Sequence, residues 1–190
     1  MDAFLSSTAI VAIAEIGDKT QLLAILLATR FKRPLPIIAG IFAATIANHF
    51  LAALVGSQLA SLVEGQWFRY LVAISFMAMA AWALIPDKFE EEDARPSRHG
   101  AFLTTLIAFF LVEMGDKTQV ATIALGAGFH AVIPVTMGTT LGMMIANVPA
   151  VLLGNAIIKL IPLKTVRIIA AAAFFAIGLF LAFDTMTRGA

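Results

Sequence analysis

The sequence predicts an all-α integral membrane protein, with six transmembrane helices arranged as two inverted-topology three-helix repeats. Three observations predict it. The chain carries six continuous apolar stretches, each about as long as the roughly 20 residues that span hydrocarbon. A polar heptapeptide recurs at a 98-residue offset inside two of those stretches. Finally, 61% of the 190 residues are hydrophobic and only 13% charged, with a mean hydropathy of +0.94, which excludes a large soluble domain.

In chain order the apolar stretches fall near residues 4–28, 35–62, 67–86, 101–125, 131–158 and 163–183. Their unbroken Ala, Leu, Ile and Phe runs suit helices; a membrane barrel would show alternating segments of about ten residues. The first stretch has no basic region before it and no small-residue cleavage pattern, so it reads as a retained helix. Between the stretches, Arg30, Lys32, Arg33, Lys88, Arg95, Arg98, Lys159, Lys164 and Arg167 fall on one side, whereas only Arg69 and Arg188 fall on the other. Positive residues near helix ends are retained in the cytoplasm, so both termini are expected outside it. The net charge of +1 gives no sign of a nucleic-acid partner, and the absence of cysteine excludes disulfides and thiolate ligation.

The recurring string is Glu15-Ile16-Gly17-Asp18-Lys19-Thr20-Gln21 and Glu113-Met114-Gly115-Asp116-Lys117-Thr118-Gln119, identical at six of seven positions. The same offset aligns Gly40 with Gly138 and Arg69 with Arg167, and a one-residue slip matches Ile46-Ala47-Asn48 to Ile145-Ala146-Asn147. A tandem duplication follows, with residues 1–86 as the first three-helix unit, 87–100 as a charged cytoplasmic connector and 101–190 as the second unit. Because three is odd, the second unit enters the membrane from the opposite side. Both motifs then lie near the midplane, where they can meet. The connector's acidic run, Glu90 to Asp93, reads as an ordinary solvated linker.

A charged side chain at the bilayer centre costs at least about 2.5 to 3.5 kcal/mol, so these groups need partners, water or a bound ion. On a continuous helix Glu15 and Asp18 would share a face, as would Glu113 and Asp116, with Gln21 and Gln119 at the flank. Glu15, Asp18, Glu113 and Asp116 are thus the candidate metal ligands, and Lys19, Thr20, Gln21, Asn48, Lys117, Thr118, Gln119 and Asn147 are candidate supporting residues. Gly17 and Gly115 permit either close helix approach or a local break that frees carbonyls. Thr20 and Thr118 can bond freed backbone or lend hydroxyl oxygen, and each Lys can pair with the Glu four residues before it. Asn48 and Asn147 fit a ligand role or interhelical hydrogen bonding. His49 has Val148 as its repeat partner, an asymmetry that counts against a proton-relay role, while His99 and His130 fall in loops. Pro149 and the Gly138-x-x-x-Gly142 pair read as architecture, a kink and a close helix contact.

Oxygen donors without sulfur favour hard divalent ions such as Mn²⁺, Ca²⁺ or Mg²⁺. Four carboxylates and two lysines sum to −2, which one such ion neutralises. Without it, carboxylates crowded in low dielectric should take up protons, and ion binding should release them.

The doubled motif, three helices per half and a charged central loop resemble the Gdt-type cation transporter family, whose bacterial members include manganese exporters. The resemblance covers essentially the whole chain and both motifs are intact. It implies a six-helix transporter of Mn²⁺ or Ca²⁺ that exchanges the metal for protons, with Glu15, Asp18, Glu113 and Asp116 as the ion site. The expected function is secondary active Mn²⁺ export from the bacterial cytoplasm across the inner membrane. Ca²⁺/H⁺ antiport is the near alternative, and a passive cation channel is a more distant one. No cofactor is expected, the chain has no P-loop for nucleotide hydrolysis, and a monomer suffices to build one site. An intramembrane aspartyl protease is the enzyme reading, but such proteases pair Tyr-Asp with Gly-x-Gly-Asp, whereas Asp18 and Asp116 follow Ile-Gly and Met-Gly and the lone Tyr70 is not followed by Asp. A purely structural reading makes each Glu and Lys an intrahelical pair, with Asp capping a broken helix.

Overall fold

A computed structural model describes residues 2–63, 65–85, 100–154 and 163–188. Among these it is all-helical, with no strand. The helices are α1 (Asp2–Glu15), α2 (Lys19–Phe31), α3 (Pro34–Leu62), α4 (Gln66–Ala83), α5 (Ala101–Glu113), α6 (Lys117–Phe129), α7 (Val132–Leu153) and α8 (Leu163–Arg188). Three are long and apolar enough to cross a bilayer unaided: Pro34–Leu62, Val132–Leu153 and Lys164–Thr187. The connector residues 87–99, with the run Glu90 to Asp93, and Lys159 lie outside the described residues.

The first and fourth apolar stretches are not continuous helices, as expected from their hydropathy, but pairs broken at the motif. Gly17 at φ 81° and Gly115 at φ 78° occupy the left-handed region, which a right-handed helix cannot pass through. Backbone geometry recurs across the offset. Asp18 and Asp116 precede their helices at φ −82° with ψ 170° and 166°. Lys32 and His130 close α2 and α6 in left-handed caps at φ 53° and 51°.

Polar and apolar residues are distributed opposite to a soluble fold. Leu141, Ile145, Phe175, Phe180 and Phe183 are exposed, whereas Ser7, Thr45, Thr105, Thr139 and Asn147 are buried. Such an exterior suits lipid. Several interior hydroxyls bond within their own helices: Thr105 Oγ1 donates to Ala101 O at 2.7 Å and Thr139 Oγ1 to Val135 O at 2.9 Å.

Helix contacts are built on glycine. A Cβ on Gly40 of α3 would lie 2.8 Å from Phe102 O and from Thr105 Cβ of α5. Gly138 of α7 abuts Phe4 and Ser7 of α1, the repeat-equivalent positions, and a Cβ on Gly142 would lie 2.7 Å from Thr8 O. Thus the expected close contact at Gly138 and Gly142 is with α1. Gly56 of α3 faces the Ile123 carbonyl of α6. Pro149 lies within α7 without ending it.

Two apolar cores result. One joins Val72, Phe76 and Met79 of α4 to Phe174 of α8, Ile10 of α1 and Leu125 of α6; the other holds Leu23, Leu27, Ile37, Ile41 and Phe109. The α4–α8 pair packs on α1 and α6, while its packing on the repeat-equivalent α5 and α2 is marginal at most.

Gly56→Ala should destabilise the fold by about 1 to 3 kcal/mol through overpacking against rigid backbone. Gly128→Ala, whose Cβ meets nothing within 4 Å, should stay within about 0.5 kcal/mol of wild type. Thermal unfolding in detergent micelles checks both.

Candidate metal centre

Each helix break creates the same local frame. With the helix ended at Glu15, the Asp18 N–H donates to Glu15 O at 3.1 Å; in the second motif the Asp116 N–H donates to Glu113 O at 3.2 Å. The amide of each glycine is taken by the glutamine four residues on: Gly17 N donates to Gln21 Oε1 at 3.0 Å, and Gly115 N to Gln119 Oε1 at 2.7 Å. The two glutamines therefore hold the breaks. Their amide nitrogens reach across the protein, Gln21 Nε2 to Ala146 O at 3.0 Å and Gln119 Nε2 to Asn48 Oδ1.

Glu15, Glu113 and Asp116 come together, one carboxylate oxygen of each lying within 4.8 Å of the others. Both glutamates are fully buried and Asp116 is 3% exposed. Glu15 accepts from the Thr20 hydroxyl at 2.6 Å on Oε2 and from Thr118 on Oε1. Both threonines thus lend hydroxyls to one carboxylate, and one of them crosses between the halves. Glu113 has no hydrogen-bond partner on either oxygen.

Lys19 does not pair with Glu15, as an unbroken helix would have it. Its Nζ lies 3.0 Å from Asp116 Oδ1, in the other half. Three carboxylates and one ammonium leave a formal −2, the charge that one divalent ion neutralises. Within a low-dielectric interior that imbalance is costly unless a cation or protons are bound.

Asp18 does not belong to this group. The break places it and Glu15 on different helical frames, so the shared face expected from their spacing does not form. Asp18 instead lines a cavity with Lys117, Ala83 of α4, and Arg167, Ala170 and Phe174 of α8. Lys117 Nζ donates to Ile85 O at 3.0 Å. The repeated residues therefore take unequal roles: the second motif's acids sit in the cluster, and the first motif divides between cluster and cavity.

Asn48 Nδ2 donates to Phe110 O at 3.3 Å, tying α3 to α5. Asn147 turns to its own helix, donating to Met143 O at 3.1 Å. His130, expected in a loop, is the exposed cap of α6; His99 lies outside the described residues. His49, ranked low for its lack of a repeat partner, is fully buried with Nε2 3.9 Å from Glu113 Oε2. Its place directly after Asn48 on a mid-chain helix was the only signal in the sequence.

A family described as divalent cation/proton antiporter GDT1 matches the chain twice, over residues 3–91 and 101–189. A protein of Vibrio cholerae named "Putative manganese exporter" is 47% identical over 184 residues, covering 96% of this chain and 92% of its own. A GDT1-like protein of Synechocystis is 28% identical, with 92% and 94% covered. GDT1-like protein 5 of Arabidopsis thaliana is 27% identical, with 94% of each chain covered. No solved structure matches.

A side chain at Gly115 would meet nothing within 4 Å, so its φ of 78° is the whole constraint. Gly115→Ala should cost about 1 to 2 kcal/mol and Gly115→Asn less, since Asn visits this conformation more readily. Chemical unfolding of the two variants in micelles gives the ranking.

Proposed function

The chain belongs to the GDT1 family of divalent cation/proton antiporters, and we propose that within it this protein exports Mn²⁺ in exchange for protons. The observation that carries the reading is the buried cluster of Glu15, Glu113 and Asp116, assembled from both motifs around a formal charge of −2. The oxygen donors of the cluster suit a hard divalent ion, and the choice of manganese as cargo rests on the Vibrio relative's name. Membership in a family of transporters supports transport over the protease reading.

The proposed cycle uses one site for two kinds of cargo. Mn²⁺ entering from the cytoplasm is held by Glu15, Glu113 and Asp116, and Lys19 yields Asp116 to it. After release, the same carboxylates accept protons, because three anions cannot stay bare together in low dielectric. Each proton bound cancels charge that the departing ion had balanced, so the return step carries protons inward. Asp18, beside Lys117 in its cavity, takes Asp116's place in the opposite state, where the two motifs exchange roles.

The surrounding architecture in this proposal is six spans in two inverted repeats. Residues 1–86 and 101–190 form the two units, joined by the cytoplasmic connector 87–100. Each broken pair, α1 with α2 and α5 with α6, makes one span. The basic loops face the cytoplasm, both termini lie outside it, and the membrane is the bacterial inner membrane. Discontinuous helices with polar residues at the break are a recurrent way to place an ion site at mid-membrane. One copy of the chain supplies all the acids named.

Proteoliposome flux with a lumenal pH dye tests the reading. Mn²⁺ entry through wild-type protein should raise lumenal pH as protons leave, with Ca²⁺ moving more slowly. Glu15→Gln and Asp116→Asn should each lower Mn²⁺ flux on the order of a hundredfold, equivalent to about 2.7 kcal/mol. Wild-type turnover in both would refute the three-acid site, and Mn²⁺ flux without a pH change would make the protein a uniporter or channel.

A further inference from the structure

Resting on the ion-site reading above, we propose that His49 is a nitrogen ligand of the transported ion, and that it biases the site toward transition metals over Ca²⁺ and Mg²⁺. His49 lies on α3, which supplies none of the motif residues. Its side chain has no exposed surface, and neither Nδ1 nor Nε2 has a hydrogen-bond partner. Facing it is Glu113, also fully buried and also without a partner on either carboxylate oxygen.

Two adjacent polar groups left unpartnered in the interior are unfavourable, because each has lost water and gained nothing. The Nε2 to Oε2 separation of 3.9 Å is too long for a hydrogen bond. It is the spacing of two ligands on a common ion: donors each about 2.1 to 2.6 Å from a divalent cation sit roughly 3 to 5 Å apart. A cation between them satisfies both groups at once, and Glu113 already stands among the three clustered acids. The ring's neighbour in the cluster is Glu113, whereas Lys19 contacts Asp116 and the two threonines contact Glu15.

The chemical consequence is selectivity. Ca²⁺ and Mg²⁺ take oxygen ligands, while imidazole suits first-row transition metals. An all-carboxylate cluster has little basis for telling Mn²⁺ from Ca²⁺; one nitrogen donor adds that basis. The repeat equivalent of His49 is Val148, so the donor enters from one half alone.

The test is electron spin echo spectroscopy of Mn²⁺ bound to the full-length protein in nanodiscs, with Mn²⁺ and Ca²⁺ affinities measured alongside. Wild-type protein should show ¹⁴N modulation from a directly bound imidazole. In His49→Gln the modulation should vanish although His99 and His130 remain, and Mn²⁺ affinity should fall at least about tenfold while Ca²⁺ affinity changes less than about twofold. Bound Mn²⁺ without ¹⁴N modulation, or equal losses for the two ions, overturns the histidine ligand and leaves the antiporter reading intact. Wild-type protein that binds no Mn²⁺ overturns both. The wild-type spectrum decides the point even if His49→Gln does not fold.

Discussion

Burying three carboxylates beside a single ammonium is the constraint on which the rest of this protein depends. Glu15, Glu113 and Asp116 lie where water is scarce, and their charge must be balanced from within reach. Lys19 supplies part of the balance and crosses between the halves to do so. Thr20 and Thr118 supply dipoles to Glu15 alone. What remains is an excess of negative charge that a bound cation or protons would neutralise, and this is why the proposed cargo and coupling ion are assigned to the same atoms.

That constraint governs the backbone around it. A regular helix would turn Glu15 and Asp18 to one face and close off the polypeptide amides between them. The left-handed glycines interrupt it, and Gln21 and Gln119 take up the amides so exposed. Close helix packing through Gly40, Gly56, Gly138 and Gly142, together with the two apolar cores, then fixes the broken pieces. Polar residues inside and apolar residues outside follow from lipid as the solvent.

Much of this was legible in the sequence. The duplicated motif named four acids, of which Glu15, Glu113 and Asp116 meet and Asp18 stands apart, and the apolar runs gave the helical class. Glycine between two acids left a break open as one of two outcomes. What the spacing could not show is which acid follows which helix after the break: Asp18 leaves Glu15's frame because a left-handed residue resets the direction of everything beyond it. Nor could spacing show that Lys19 pairs across the molecule, since the i to i+4 rule holds only while the helix is continuous. His49 ranked low because repetition was the guide, and it is not repeated. Asn48 and Asn147, equivalent in sequence, bond differently for a related reason: their neighbours in space are not equivalent.

The leaning of the α4–α8 pair onto α1 and α6, away from α5 and α2, carries one more implication. Were the two halves identical, this arrangement would have a twin of equal energy with every helix in the other's place, and the chain would be degenerate between them. Real differences lift the degeneracy, among them His49 opposite Val148 and Gly126 opposite Ala28. Any substitution made in one half and not the other therefore acts as a bias on a balance. Which pair of helices the α4–α8 pair leans on is then a trait that drift can reverse one unmatched residue at a time, without touching Glu15, Glu113 or Asp116.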